Sequence, residues 1–181
     1  MRYKIIYYKG LLICIILLAS FRCFSQDNDR STLQFKSWSV TPLEFYDFTE
    51  TNEDIFKGLV PISISIDFTF ALNRNLLSMS GTYGESSGIF SGSSNIKIIS
   101  FLYGREFELK KWLLAETHFG GGLFSYGSSD IQKNINEFII PLVVKIRYKT
   151  GDRFSIGLRF SYNINSLNNL YSAGLLLQWN Y

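Results

Sequence analysis

Six residues able to do ionic or proton-transfer chemistry fall on the polar positions of alternating runs: Asp67, Glu116, His118, Lys145, Arg147 and Arg159. Glu116 and His118 are two residues apart, so a strand places them on one face. A carboxylate beside an imidazole is the pairing used in general acid–base and nucleophilic sites. His118 is the sole histidine, which excludes a metal centre built on several imidazoles. The run Gly120-Gly121-Gly122 lacks the Lys-Ser/Thr that completes a phosphate loop. Within a strand such glycines serve to bend the chain or to admit a bulky neighbour. No residue is assigned a catalytic, metal-ligating or cofactor-binding role, and no cofactor is expected. The alternative for the six is structural. Charges held on an inward face must be paired, because an unpaired buried ion is costly.

The elements that would position them are strands. Val60, Ile62, Ile64, Ile66, Phe68 and Phe70 alternate with Ser63, Ser65, Asp67 and Thr69. Phe138 to Tyr148 and Phe154 to Tyr162 repeat the pattern, with Lys145, Arg147 and Arg159 on the polar side. So does Tyr171 to Tyr181. A period of two, with turn residues between runs and no sustained helical period, argues for an all-β chain. Further strands are read at Leu33 to Tyr46, Leu76 to Tyr83, Asn95 to Phe107 and Trp112 to Tyr126, giving eight. Pro42 interrupts the first, and the apolar residues of the fourth straddle both faces. Longer polar connections (Tyr46–Lys57, Gly84–Ser94, Gly127–Asn136) alternate with tight ones near Asn73–Asn75, Glu108–Lys111 and Lys149–Asp152. Long loops at one end and short turns at the other is the transmembrane-barrel pattern.

Residues 1–25 read as a cleaved signal peptide, with Arg2, Lys4 and Lys9 ahead of the apolar run Leu11 to Ala19. The other reading of this leader is a lipoprotein signal with Cys23 modified, but Phe21 and Arg22 stand where small residues are wanted. Cleavage after Ser25 removes both cysteines and four of the 18 basic residues, so residues 26–181, one barrel domain, carry 14 bases against 15 acids. That balance gives no support to nucleic-acid binding.

Alternation does not say which face points inward. The polar face is rich in small residues (Ser63, Ser65, Gly120, Gly122, Ser155, Gly157, Ser172, Gly174), suited to a crowded lumen rather than a soluble exterior. Aromatics gather near strand ends, with Trp179, Tyr181, Tyr148 and Phe154 at one interface and Tyr83, Phe138, Tyr162 and Tyr171 at the other. The apolar face is therefore expected to meet lipid.

Taken together, leader, eight strands, loop alternation and aromatic terminus resemble the small eight-stranded outer-membrane β-barrels of the OmpX/OmpA type. The resemblance implies an antiparallel up-and-down barrel in the bacterial outer membrane, among outer-membrane lipid and lipopolysaccharide. It also implies that Leu175, Leu177, Trp179 and Tyr181 form the signal read by the barrel-assembly machinery. Some barrels of this kind are lipid A deacylases with a His-x-Ser element, but the residue two after His118 is Gly120. The expected function is non-enzymatic: a structural or surface-interaction role through the outer loops. The alternatives are binding or transport of a small, apolar ligand at the barrel mouth, and a lipid-modifying enzyme. Inside the barrel, Glu116 is expected to ion-pair with Lys145 or Arg147. Deleting Trp179 to Tyr181 should sharply reduce membrane assembly; undiminished heat-modifiable barrel in outer-membrane fractions would count against this.

Overall fold

A computed structural model describes residues 32–48, 62–87, 93–128, 133–166 and 169–181. Residues 1–25, expected to be a leader, and most of the first expected long loop lie outside these residues. Eight strands follow in order: β1 (Gln34–Phe48), β2 (Ile62–Leu72), β3 (Asn75–Ser87), β4 (Ser93–Lys110), β5 (Leu113–Ser128), β6 (Lys133–Lys149), β7 (Phe154–Ile164) and β8 (Leu170–Asn180). Each pairs antiparallel with its neighbours, and β8 pairs with β1 to close the barrel. Closure leaves no sheet edge, which a strand structure in lipid requires.

The strands outrun their apolar alternation. β3 continues to Ser87 and β4 begins at Ser93, so the Gly84–Ser94 connection is mostly ladder. The Gly127–Asn136 connection likewise loses residues to β5 and β6. Backbone pairing needs no apolar face, so Ser, Gly and Asn carry the sheet beyond the part that the hydrophobic pattern reveals. At the other end the turns are tight. Leu72 pairs with Asn75 across Asn73 and Arg74, and Asn73 takes a φ of 59°, a left-handed value that asparagine tolerates better than most residues.

The two faces are inverted relative to a soluble protein. Ile64, Ile66, Phe68, Leu142, Val144, Leu158 and Leu175 are exposed, and Phe101 and Leu123 are each 67% exposed. Serines, threonines and ions point inward and are buried. A continuous apolar exterior of this extent marks lipid as its solvent. Aromatic girdles bound it. At the short-turn end Trp38 stacks on Trp179 with centroids 4.3 Å apart, beside Phe154 and near the Phe35–Tyr181 pair. At the long-loop end Tyr162 stacks on Tyr171 at 4.5 Å. From Tyr171 to Trp179, at about 3.3 Å per residue and a tilt near 40°, the strand climbs roughly 20 Å, comparable with the ~25 Å apolar band of such barrels.

The inward and outward sides of β8 differ enough to test. Leu175→Arg should destabilise the barrel in lipid by about 2–4 kcal/mol if it sits near mid-bilayer. Leu176→Ala, which empties a fully buried position, should cost about 2–5 kcal/mol. Urea unfolding of both variants in vesicles checks the assignment, and a neutral Leu175→Arg would reverse it.

Candidate functional site

Among the described residues, acidic, basic and imidazole side chains converge in the lumen. It has two zones. Towards the long loops it is filled by apolar and aromatic residues, Tyr46, Ile96, Ile98, Phe124, Tyr126, Ile139 and Leu170 among them. Towards the short turns it is ionic.

The structure brings the six expected residues into this ionic zone, all of them buried. Glu116 and His118 project from β5, Lys145 and Arg147 from β6, Asp67 from β2 and Arg159 from β7. Arg147 Nη2 donates to Glu116 Oε1 at 2.6 Å and to Glu106 Oε2 at 2.5 Å. Lys36 Nζ sits 2.7 Å from Glu106 Oε2 and 3.6 Å from Glu116 Oε1. Two carboxylates thus share two cations across β1, β4, β5 and β6. Further up the lumen, Lys145 Nζ is 2.9 Å from Asp67 Oδ2, which also accepts from Ser39 Oγ at 3.1 Å. Arg159 Nε lies 3.7 Å from the same oxygen, and Arg159 Nη1 donates to Glu44 Oε1. Ser172 Oγ donates to Glu44 Oε1 at 2.6 Å, and Ser65 Oγ to Glu44 Oε2. The four lumen acids (Glu44, Asp67, Glu106, Glu116) therefore meet four bases (Lys36, Lys145, Arg147, Arg159), and the described network is neutral with His118 uncharged.

The β5–β6 register sets the Glu116 contact. Glu116 is directly opposite Lys145, two residues off a register symmetric about the connecting loop, yet its carboxylate bonds diagonally to Arg147. Diagonal neighbours are within reach of long side chains, and Lys145 is drawn the other way, to Asp67.

Three members were not found from alternation, and two of them, Lys36 and Glu44, lie on irregularities of β1. The register shifts between Phe35 and Ser37, where Lys36 turns to the lumen beside inward Ser37. It shifts again between Thr41 and Glu44. Before Pro42 the odd residues Ser37, Ser39 and Thr41 are buried; beyond it the even residues Glu44 and Tyr46 are. An extra residue flips the face of everything after it. Pro42 was the available signal. Glu106, at the short-turn mouth, lies in phase with buried Gly104 on β4, whose phase the sequence did not settle.

The His118–Glu116 pair is locked in place. Nε2 is 3.1 Å from Glu116 Oε2, and since a carboxylate only accepts, Nε2 carries the hydrogen. The ring covers Gly104 across the β4–β5 ladder, where any Cβ would collide with the imidazole and with the Thr117 carbonyl. Glu116 spends both oxygens on neighbours. The lumen void above, between Tyr46, Ser80, Leu102, Val143 and Arg159, measures about 10 Å³, room for about one water molecule. Neither Glu116 nor His118 lines it. Among the described residues no three His, Cys, Asp or Glu side chains converge as a metal cage.

No protein-family profile matches the chain, and no curated protein sequence is similar to it. Solved structures are similar in fold. Ail, the attachment invasion locus protein of Yersinia pestis, solved with the heparin analogue sucrose octasulfate, superposes with a TM-score of 0.57 at 11% identity, over 82% of this chain and 99% of that one. Neisserial surface protein A gives 0.60 at 10% identity, over 81% and 97%. The N-terminal barrel domain of Pseudomonas aeruginosa OprF gives 0.55 at 12% identity, over 83% and 100%. The fold is that of the small eight-stranded barrels of bacterial outer membranes, reached by a sequence with little identity to them.

If the shared ions hold the lumen together, Glu116→Ala should destabilise the barrel by about 3–5 kcal/mol, less where water reaches Arg147. Adding Arg147→Ala should cost less than the two single changes summed. Urea unfolding of the three variants measures the coupling; strict additivity would show that the pair does not act as a unit.

Proposed function

We propose that the protein is a non-enzymatic integral outer-membrane barrel whose work is done at its surfaces: an envelope-structural or surface-interaction protein acting through its outer loops. The observation that carries this reading is the filled lumen. Among the described residues, ions paired within the chain and an apolar plug leave a lumen void of about 10 Å³ between them, too small for a solute or a substrate. An eight-stranded barrel has an interior just wide enough to be filled in this way. The Glu116–His118 pair is then a structural device.

The loops also indicate what kind of partner suits them. Ail was solved with a polyanion, but here the long-loop end is acidic. Asp47, Glu85 and Glu137 stand there against Lys97, and the connecting sequence adds Glu50, Glu53, Asp54 and Asp130 against Lys57 and Lys133. Charge complementarity favours a cationic or cation-bridged partner over a sulfated one. Lipopolysaccharide, whose phosphates are also anionic, would meet this rim through bridging cations. Engagement by the assembly machinery through Leu175, Leu177, Trp179 and Tyr181 is consistent with the outward aspect of that row.

The second reading, binding of a small apolar ligand, has one observation in its favour. A hollow of about 450 Å³ lies on the barrel's outer surface between Phe45, Phe160, Tyr162, Tyr171 and Ala173. It faces lipid, so acyl chains fill it by default.

Two measurements test the main reading. In planar bilayers the purified protein should show no steady ionic conductance; a stable ion-selective conductance would mean that the lumen is open. Replacing residues 49–57, 88–92 and 129–132 with short Gly-Ser linkers should preserve heat-modifiable barrel while weakening binding of poly-lysine to the purified barrel in phosphatidylcholine vesicles. Equal binding by parent and loop variant would remove the loops from the function.

A further inference from the structure

The ions outside the lumen are not evenly divided between the two ends. At the short-turn end Arg74, Arg105, Lys110, Lys111, Lys149 and Arg153 stand against Glu108 and Asp152. This is the opposite sign to the long-loop end, in a chain whose overall charge after leader removal is close to neutral. Three of the six cations cluster. The β4–β5 turn carries Lys110 and Lys111, and the Lys149 amide donates to the Trp112 carbonyl at 2.9 Å, which fixes the end of β6 beside that turn. Trp112 and Tyr148 lie side by side with ring centroids 5.6 Å apart and are 45% and 49% exposed. Lys110 Nζ is 5.2 Å from the Trp112 ring centroid. None of the three lysines is ion-paired with a described carboxylate.

We propose that Lys110, Lys111 and Lys149, grouped around the Trp112–Tyr148 pair, form a binding site for the phosphate headgroup of an anionic phospholipid in the periplasmic leaflet. Short turns face the periplasm in such barrels, so this rim meets phospholipid and not lipopolysaccharide. An amphipathic ring pair at the girdle sits at the level of the glycerol and carbonyl groups. Lysines one or two residues beyond it reach the phosphate, each worth roughly a fivefold change in binding near an anionic surface. The ammonium groups are exposed at the turns, and the Trp112 ring packed under Lys110 restricts its position.

The inference rests on the membrane-spanning reading and is tested in a way that separates the two. The mature barrel is reconstituted in phosphatidylcholine vesicles, and its tryptophan fluorescence is quenched with brominated phosphatidylglycerol or brominated phosphatidylcholine. Heat-modifiable migration reports folding independently. The parent should prefer the anionic lipid by about tenfold or more, and the preference should collapse in about 0.5 M NaCl. K110Q/K111Q/K149Q should remain heat-modifiable and lose the preference, while K97Q at the opposite rim keeps it. Inorganic phosphate at millimolar concentration should not compete, because it lacks the acyl chains that place the headgroup at the girdle. Loss of heat-modifiable barrel in the parent would sink the membrane reading. A folded parent without lipid preference, a preference that survives salt or the triple substitution, or competition by free phosphate would overturn the lipid site alone.

Discussion

The structure depends on one constraint: eight strands closed on themselves leave an interior too narrow for bulk water. A charge placed there must be answered by the chain itself, since desolvation of an isolated ion costs far more than one contact returns. The answers come from strands far apart in sequence. Arg159 on β7 is met by Glu44 on β1, and Lys145 on β6 by Asp67 on β2. The Arg159–Glu44 pair reaches past β8, and the Lys145–Asp67 pair crosses the lumen between opposite walls, so neither follows a ladder. Serines at Ser39, Ser65 and Ser172 complete the coordination of the carboxylates. Their smallness is as necessary as their hydroxyls, because larger side chains would displace the ions.

The same constraint explains the division of the lumen into zones. Four acids and four bases saturate one another in the short-turn half, and nothing is left to pair further ions above it. The remaining volume is closed by Tyr46, Phe124, Ile139 and their neighbours, which need no partners. At this level β4, β5 and β6 are therefore apolar on both faces, while Ser63, Ser161, Asn163 and Ser172 keep β2, β7 and β8 polar inside.

That zoning decides what could be read from the sequence. Where the lumen is polar, period two is clean, and the faces of β2, β7 and β8 follow directly from residues such as Ile64 against Ser65 or Leu158 against Arg159. Where the lumen is apolar the signal vanishes. Ile98 faces inward and Ile99 outward on β4, and no count of hydrophobic residues separates them. Lys36 and Glu44 were hidden for a different reason: β1 is irregular twice, and a bulge breaks the parity on which face assignment rests. Glu116, His118, Lys145 and Arg147 were legible as a group because β5 and β6 are regular around them. Their partnering was less so, since a two-residue difference in register leaves the faces unchanged while exchanging every opposite pair.

The sequence separation of the crossing pairs has a kinetic consequence. Glu44 and Arg159 are 115 residues apart, and Glu44 and Ser172 are 128 apart. Neither contact can exist until β8 has zipped against β1, because until then the first strand has no fixed place across from the seventh. Bonds that form only at closure are absent from any earlier transition state, so their strength is expected to fall on the rate of opening rather than the rate of assembly. The closed seam would then act as a latch: slow to release once set, and giving the barrel a lifetime in the membrane longer than its equilibrium stability alone requires.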